Sequence, residues 1–194
     1  MSIEFRDSGA VTIHENDSAE LVEVATRIKA LRDTAKQSSQ YHGRELDAIS
    51  RDPNLSDQGK KERTADLEAH HKTQRHAAMA QEKQIINDKI TTLERRLDGF
   101  VGYSSENVMA FRDAQDRAES IEDADKAATV MARALRTNDT TLAHAIYRRA
   151  VNNGWAEASR AFAAQNPTVA ALVKDVRTLE KLRDAGFNRA VAYM

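Results

Sequence analysis

The sequence predicts an all-α protein, and three features of its composition support that prediction. Of the 194 residues, 41% are hydrophobic and 30% are charged, which is typical of a soluble helical protein. Only 5% are aromatic, which favours close helix packing through small side chains over a β core. With two prolines and seven glycines, the chain has few of the residues that make tight turns between strands.

The same composition excludes several classes of protein. There is no cysteine, so disulfides, thiolate metal sites and a cysteine nucleophile are excluded. The formal net charge is −1 and is spread evenly, whereas a protein that mainly grips nucleic acid usually carries a basic domain. The first residues lack the pattern of a secretory leader, and no run of about 18 apolar residues occurs. We therefore expect a cytoplasmic protein that does not enter a membrane.

The first predicted element is a short N-terminal β-hairpin within residues 1–16. Apolar residues alternate on either side of the turn sequence Asp-Ser-Gly at 7–9. An isolated two-stranded hairpin is marginal in water, so these strands are expected to pair with another surface. The alternative is a partly ordered tail. The predicted interaction residues of this segment are Ile3, Phe5, Val11 and Ile13.

Residues 17–102 are predicted to form a long antiparallel helical hairpin, a coiled-coil arm that turns at residues 52–56. Asp17 is the expected N-cap of the first helix, Pro53 ends that helix, and Ser56 is the expected N-cap of the second. Apolar residues recur at coiled-coil spacing at the start of the first helix and the end of the second. These positions are Leu21, Val24, Ile28 and Leu31, then Ile86, Ile90, Leu93 and Leu97.

Between these two ends the arm has few apolar residues. The base of the arm is therefore predicted to be buried, and its tip, which includes Leu55, to be exposed or bound to a partner. Along the weak part of the second helix, the predicted contact positions are Ala65, Ala69, Lys72, His76 and Met79.

Residues 103–194 are predicted to form a compact bundle of about five helices. Gly154 and Gly186 are typical of helix ends, and Asn166 followed by Pro167 is typical of a helix start. Each predicted helix has an average length for a globular protein. The bundle has enough apolar side chains to fold by itself, whereas the arm does not.

Two features of this bundle indicate possible binding surfaces. Residues 133–183 hold nine basic side chains, among them Arg148 and Arg149, against four acidic ones. The simpler interpretation is that these charges neutralise acids within the bundle, and the alternative is a basic face for nucleic acid or an acidic protein surface. Trp155, the only tryptophan, is interpreted either as a core residue or as an interface anchor.

No catalytic or metal-binding pattern stands out in the sequence. His42, His70, His71 and His76 would lie near one another on the arm. The pair of histidines four residues apart that marks a zinc helix is missing, and Glu-x-x-His occurs once where helical di-metal sites use it twice. Serines are explained as helix caps and carboxylates as solvated helix surface. We expect a non-enzymatic protein without a metal or cofactor.

Two segments together resemble small helical structural proteins of tailed bacteriophages, especially phages of actinobacteria. One runs from Asp52 to Arg63, and the other from Ala143 through Trp155 to Pro167. The resemblance implies a virion or assembly component that acts in head–tail connection, capsid lining or scaffolding. It also implies homo-oligomers and contacts with other virion subunits, in the host cytoplasm during assembly and then in the virion. The alternative is a cytoplasmic helical regulatory or nucleic-acid-binding module that uses the basic 133–183 face.

Overall fold

The computed structural model describes residues 4–5, 11–12, 17–100 and 108–193, and these residues are almost entirely helical. The all-α prediction is therefore confirmed. Two short strands, β1 (Glu4–Phe5) and β2 (Val11–Thr12), pair antiparallel, and β2 lies against the first helix. The helices are α1 (Ala19–Arg51), α2 (Asp57–Phe100), α3 (Val108–Glu119), α4 (Ala124–Arg136), α5 (Thr140–Asn153), α6 (Ala156–Gln165), α7 (Pro167–Asp184) and α8 (Gly186–Ala192).

The chain divides into two compact units. Unit 1 comprises Met1–Ile90 together with Thr178–Met194, and unit 2 comprises Thr91–Arg177. This division differs from the predicted boundary at 102/103, because the end of the chain belongs with the long helices. The physical reason is a buried polar cluster that joins α8 to α1 and α2, described below.

Local capping signals explain where the two long helices begin. The N-cap of α1 is Ser18, whose hydroxyl accepts a hydrogen bond from the backbone N–H of Leu21 at 3.2 Å. The prediction of Asp17 was one residue early, because both residue types cap helices and only the backbone conformation decides between them. The hydroxyl of Ser56 accepts from the N–H of Gly59 at 3.2 Å, which confirms the predicted start of α2.

The apolar base of the arm is buried as predicted, except at Leu31, which is half-buried. Leu21, Val24 and Ile28 of α1 and Ile86 and Ile90 of α2 are each at most 5% exposed. In the same part of unit 1, the ammonium of Lys89 pairs with the carboxylates of Glu20 and Glu23. Leu93 and Leu97 of α2, which belong to unit 2, are also fully buried.

The predicted contact positions in the weak part of α2 were wrong. Ala65, Ala69, Lys72 and His76 are exposed, and Met79 is half-buried. The side chains that meet α1 are instead polar, such as His71 against Ser39 and Gln74 against Ser38. A register inferred from scattered alanines has no strong apolar signal behind it, so the rotation of the helix could not be predicted from the sequence.

Unit 2 packs its helices through small side chains, as the low aromatic content predicts. Helix α5 contacts α3, α4 and α6, and α4 also contacts α6. Tyr147 of α5 stacks on Phe162 of α6, with ring centroids 4.4 Å apart. The left-handed backbone of Gly154, with φ of 73°, ends α5, because residues with a Cβ rarely adopt this conformation. The buried alanines are Ala114, Ala118, Ala127, Ala134, Ala143, Ala150 and Ala158.

Candidate interaction sites

The structure brings together only some of the residues predicted to make contacts. Ile3 and Ile13 lie outside the described residues, and Phe5 is placed only by its backbone, opposite Val11 in the β1–β2 pair. Val11 is half-buried, as is Leu55, which lies in the turn between α1 and α2. The remaining predicted residues, Arg148, Arg149 and Trp155, all lie in unit 2.

Arg149 and Trp155 lie directly against each other. The guanidinium of Arg149 is 5.5 Å from the centroid of the Trp155 ring, within the range of a cation–π contact, and its Nε donates to the carbonyl of Ile121 at 3.0 Å. Arg148 points to a different partner, since its Nη2 lies 3.4 Å from Glu94 Oε1. Both members of that pair are more than a third exposed, so the pair contributes little to stability.

The nine basic residues of 133–183 are distributed over α4, α5, α6 and α7. Several of them have a partner within the chain. These pairs are Arg148 with Glu94, Arg149 with the Ile121 carbonyl, Arg160 with the Ala156 carbonyl, Arg177 with the Val151 carbonyl, and Arg183 with Asp184. Of these five arginines, only Arg148 and Arg183 pair with a carboxylate, so these contacts do not decide between the two interpretations of the basic residues.

A groove of about 360 Å³ runs between α3 and α5. One wall is α3 from Phe111 to Glu119, and the other is α5 from His144 to Asn153. The volume is at the lower end of the range for pockets that bind ligands. We call this feature the α3–α5 groove. Its polar lining residues are Gln115, Glu119, His144, Arg148, Arg149, Asn152 and Asn153.

His144 lies at the inner side of this groove and was not singled out by the sequence analysis. Its side chain is 2% exposed, and its Nε2 has no hydrogen-bond partner. Burial, and then the charge of Arg148, lowers the pKa of His144 to about 4, so the imidazole is neutral at pH 7. It also lines a second cavity of about 280 Å³, bordered by Thr140, Phe162 and Gln165. In the sequence, the only indication of this buried polar position was a histidine within an otherwise apolar helix face.

A second group of buried polar residues surrounds Glu82 in unit 1. The carboxylate of Glu82 is fully buried and accepts two hydrogen bonds from Arg32, at 2.8 and 2.7 Å. It also accepts from Arg189 Nε at 3.2 Å and from the Tyr193 hydroxyl at 2.8 Å. Burial, and then the adjacent Glu82 charge, raises the pKa of Tyr193, which keeps the phenol protonated. We call these four residues the Glu82 cluster.

The polar part of the arm contains a stacked pair of histidines. The rings of His42 and His71 are 4.1 Å apart and nearly parallel, and Ser39 Oγ lies 3.2 Å from His71 Nε2. His42 Nε2 and Arg75 Nε are buried without a hydrogen-bond partner. Burial, followed by the charges of His42 and Arg75, lowers the pKa of His71. The sequence predicted that the histidines of the arm would lie near one another. This holds for His42 and His71, whereas the side chain of His76 is exposed.

Within the described part of the chain, no group of three or more histidine and carboxylate side chains is arranged to hold a metal ion. Among the described helices, none combines the length and the apolar character needed to cross a membrane.

No protein-family model, curated protein or solved structure matches this chain.

Proposed function

We propose that this chain is a non-enzymatic structural interaction protein that works through a helical arm. On the resemblance of residues 52–63 and 143–167, we further propose that it is an assembly component of a tailed phage particle. The observation that best supports an interaction role is the burial pattern of the arm. Between residues 33 and 81, a stretch of two long helices, only His71 is buried among the described side chains.

The contacts between α1 and α2 support an antiparallel hairpin. They run in opposite order along the two helices, from Glu20 with Lys89 at the base to the Ser50 carbonyl with Lys60 near the tip. Arg32 with Glu82 and Ser39 with His71 lie between these ends. At 1.5 Å per residue, the 33 residues of α1 extend about 50 Å.

Packing between its two helices adds little to the stability of such an arm. Most helices in proteins are stabilised by burying an apolar face, and the outer half of this hairpin has almost none to bury. Its surface includes Tyr41, whose side chain is 56% exposed. A long, solvated pair of helices is poorly suited to enclose a substrate and well suited to contact another protein or a second copy.

Particle composition tests the phage assignment. Procapsids and finished particles would be purified from a culture that encodes this chain, and its copy number measured by mass spectrometry against the major capsid protein. We expect several copies in at least one of the two particles. A chain that is abundant in the lysate but missing from both particles would overturn the assignment.

Photo-crosslinking tests the interaction role of the arm. A photoreactive amino acid placed at Tyr41 should form protein adducts in the cell, since this exposed side chain lies on the proposed contact surface. The same substitution at Arg133, which is exposed on α4, serves as the matched control. Adducts at neither position, or at Arg133 alone, would contradict a binding role for the arm.

A further inference from the structure

The outer part of the arm, residues 33–81, contains most of the histidines of this chain. Four of the six lie there, namely His42, His70, His71 and His76. The other charges of this stretch balance, with eight basic and eight acidic side chains. An imidazole in water gains its proton near pH 6.5, so mild acid gives the outer arm a net positive charge that it lacks at pH 7.5.

Two of these histidines lie against each other between α1 and α2. The rings of His42 of α1 and His71 of α2 are 4.1 Å apart and inclined by 9°, and we call this pair the histidine stack. His71 is 9% exposed, which makes it the one buried side chain of the outer arm among the described residues. Protonation of both rings therefore places two positive charges close together at the most buried point of this stretch.

The charged groups that act on His71 are basic on both helices. Burial lowers the pKa of His71 most, followed by the charges of His42 from α1 and of Arg75 and His70 from α2. Arg75 Nε is also buried without a hydrogen-bond partner. The surroundings of His71 therefore favour its neutral form.

Carboxylates lie nearby along both helices but do not neutralise the stack. Glu45 is three residues after His42, and Glu68 is three residues before His71. Glu45 is half-buried and Glu68 is exposed. In the part of the chain that the structure describes, neither carboxylate forms an ion pair with an imidazole of the stack. The side chain that contacts His71 Nε2, at 3.2 Å, is the uncharged hydroxyl of Ser39.

Protonation of His42 also creates a buried donor without an acceptor. Its Nε2 is buried and has no hydrogen-bond partner. In a neutral imidazole one of the two nitrogens is an acceptor, whereas in the imidazolium both are donors. A buried donor without an acceptor is costly unless the helices move apart and admit water. The charged form of this ring is therefore better accommodated in an open arm.

These contacts predict which state of the arm acid favours. Where the helices have separated, the rings are in water and take up protons near pH 6.5. In the closed arm the pKa of His71 is lower, so the open arm binds the proton more tightly. The contribution of neutral His71 to the closed state is complete above pH 6.5 and is lost as the pH falls below that value. Other contacts at this level, such as Ser38 with Gln74, are exposed hydrogen bonds that resist separation weakly.

We propose that the histidine stack is a pH-sensitive switch, which keeps the outer arm closed at neutral pH and lets α1 and α2 separate there when both rings are protonated. The base of the arm stays packed, because the buried side chains of Ile28, Ile86 and Ile90 do not titrate. Since Tyr41 is next to His42, separation changes the surface that the arm offers. The switch concerns the arm of the proposed function, but it operates without a partner, so each can be tested by itself.

Hydrogen exchange of the full-length protein measures the opening, because it detects open states that are rarely populated. Amide protection factors, corrected for the intrinsic exchange rate at each pH, would be compared at pH 7.5 and 5.5 for peptides covering residues 36–48 and 64–78. We expect them to fall about tenfold, since a histidine that is neutral in the closed arm and solvated in the open arm shifts the equilibrium by about that factor. Peptides covering residues 19–30 and 84–90, at the base, are the internal control and should keep their protection.

Substitutions identify the histidines responsible. His42→Gln combined with His71→Gln removes both titrating rings and should abolish the fall in protection. His76→Gln, which removes an exposed histidine of the same helix, should behave as the wild type does. Ser39→Asp places a carboxylate beside His71, so protonation of that ring should form an ion pair, and the fall should become smaller or reverse.

Three outcomes would overturn the switch: equal protection of the outer arm at both pH values, the same fall in the variant without the two histidines, or an equal fall at the base. Should the double variant lose its helicity, Ser39→Asp decides the question, and an undiminished fall in that variant would also overturn the proposal. Adducts at Tyr41 without an effect of pH would remove the switch alone, whereas an effect of pH without adducts would remove only the binding role of the arm.

Discussion

Glu82 is fully buried, so its charge must be compensated by other groups of the protein. Its carboxylate is removed from water and compensated by Arg32, Arg189 and the Tyr193 hydroxyl. Removing one member of a buried ion pair leaves an uncompensated charge and costs about 3–5 kcal/mol. Since both arginines are also at most 7% exposed, they cannot turn to water without local unfolding.

We therefore expect Glu82→Gln to lower the free energy of unfolding by about 3–5 kcal/mol in a urea titration. Tyr193→Phe should cost about 1 kcal/mol, the net value of a single hydrogen bond. The control is Lys29→Gln, which breaks the exposed pair with Asp33 and should cost less than about 0.5 kcal/mol. Equal stability of Glu82→Gln and the control would mean that the cluster does not hold α8 in place.

The buried imidazole of His144 predicts a pH dependence of stability. Its pKa is about 4 in the folded chain and about 6.5 when unfolded, so the unfolded state binds the proton more tightly. The contribution of the neutral His144 side chain to the free energy of unfolding is complete above pH 6.5. It is lost as pH falls towards 4, at about 1.4 kcal/mol per pH unit.

The unfolding free energy of unit 2 can be followed through Trp155 fluorescence, since Trp155 is the only tryptophan. Between pH 7 and 5, wild type should lose about 2 kcal/mol more than His144→Gln, which has no imidazole to protonate. The carboxylates that titrate in this range are common to both proteins, so the difference isolates His144. Parallel pH profiles would show that this imidazole is not desolvated.

At the scale of elements, α1 and α2 change character along their length. At the base, Ile28, Ile86 and Ile90 are buried, whereas the outer part is joined by polar contacts such as Ser38 with Gln74. Apolar burial contributes about 25 cal/mol per Å², while exposed polar pairs contribute little. The stability of the arm is therefore concentrated near its base.

Truncations along α2 test this distribution. Ile90→Ala should lower the free energy of unfolding by about 2–5 kcal/mol, because the side chain is 5% exposed and its loss leaves a cavity. Met79→Ala, at a half-buried position nearer the tip, should cost much less. Both would be measured by circular dichroism in urea. Similar losses at the two positions would indicate that the outer part is packed as firmly as the base.

At the scale of the whole molecule, the N-terminal segment is predicted to join copies of the chain. A two-stranded pair leaves backbone groups at its edges, and no lysine or proline occurs within residues 2–13 to discourage pairing with another strand. Deleting residues 2–14 should leave unit 2, residues 91–177, folded but lower self-association or partner binding. Sedimentation velocity of the truncated and full chains at equal concentration measures the difference.

Salt dependence separates this assembly from binding through the basic 133–183 face. Association through apolar and backbone contacts should change little between about 50 and 200 mM salt, whereas nucleic-acid binding falls steeply over that range. An unchanged assembly state and unchanged partner binding after the deletion would make residues 2–14 a tail without a role in contacts.

The sequence by itself determined the features that depend on neighbouring residues. The all-α class follows from composition, the start of α2 from Ser56, and the end of α5 from Gly154. The burial of Ile86, Ile90 and Leu93 follows from their coiled-coil spacing. Capping and periodicity depend on residues within one or two helical turns, so the rest of the chain is not needed to recognise them.

Only the tertiary structure decided the arrangements that join distant residues. Glu82 and Arg189 are 107 positions apart, and no local pattern pairs them. The rotation of α2 in its polar part, which brings His71 to Ser39, was not predicted either, because the stretch lacks an apolar stripe that would impose a register. The α3–α5 groove likewise exists only once two helices lie side by side, which places Gln115 of α3 opposite His144, Arg148 and Asn152 of α5. Long-range contacts of polar side chains carry no periodic signal, so the candidate site could not be predicted from the sequence.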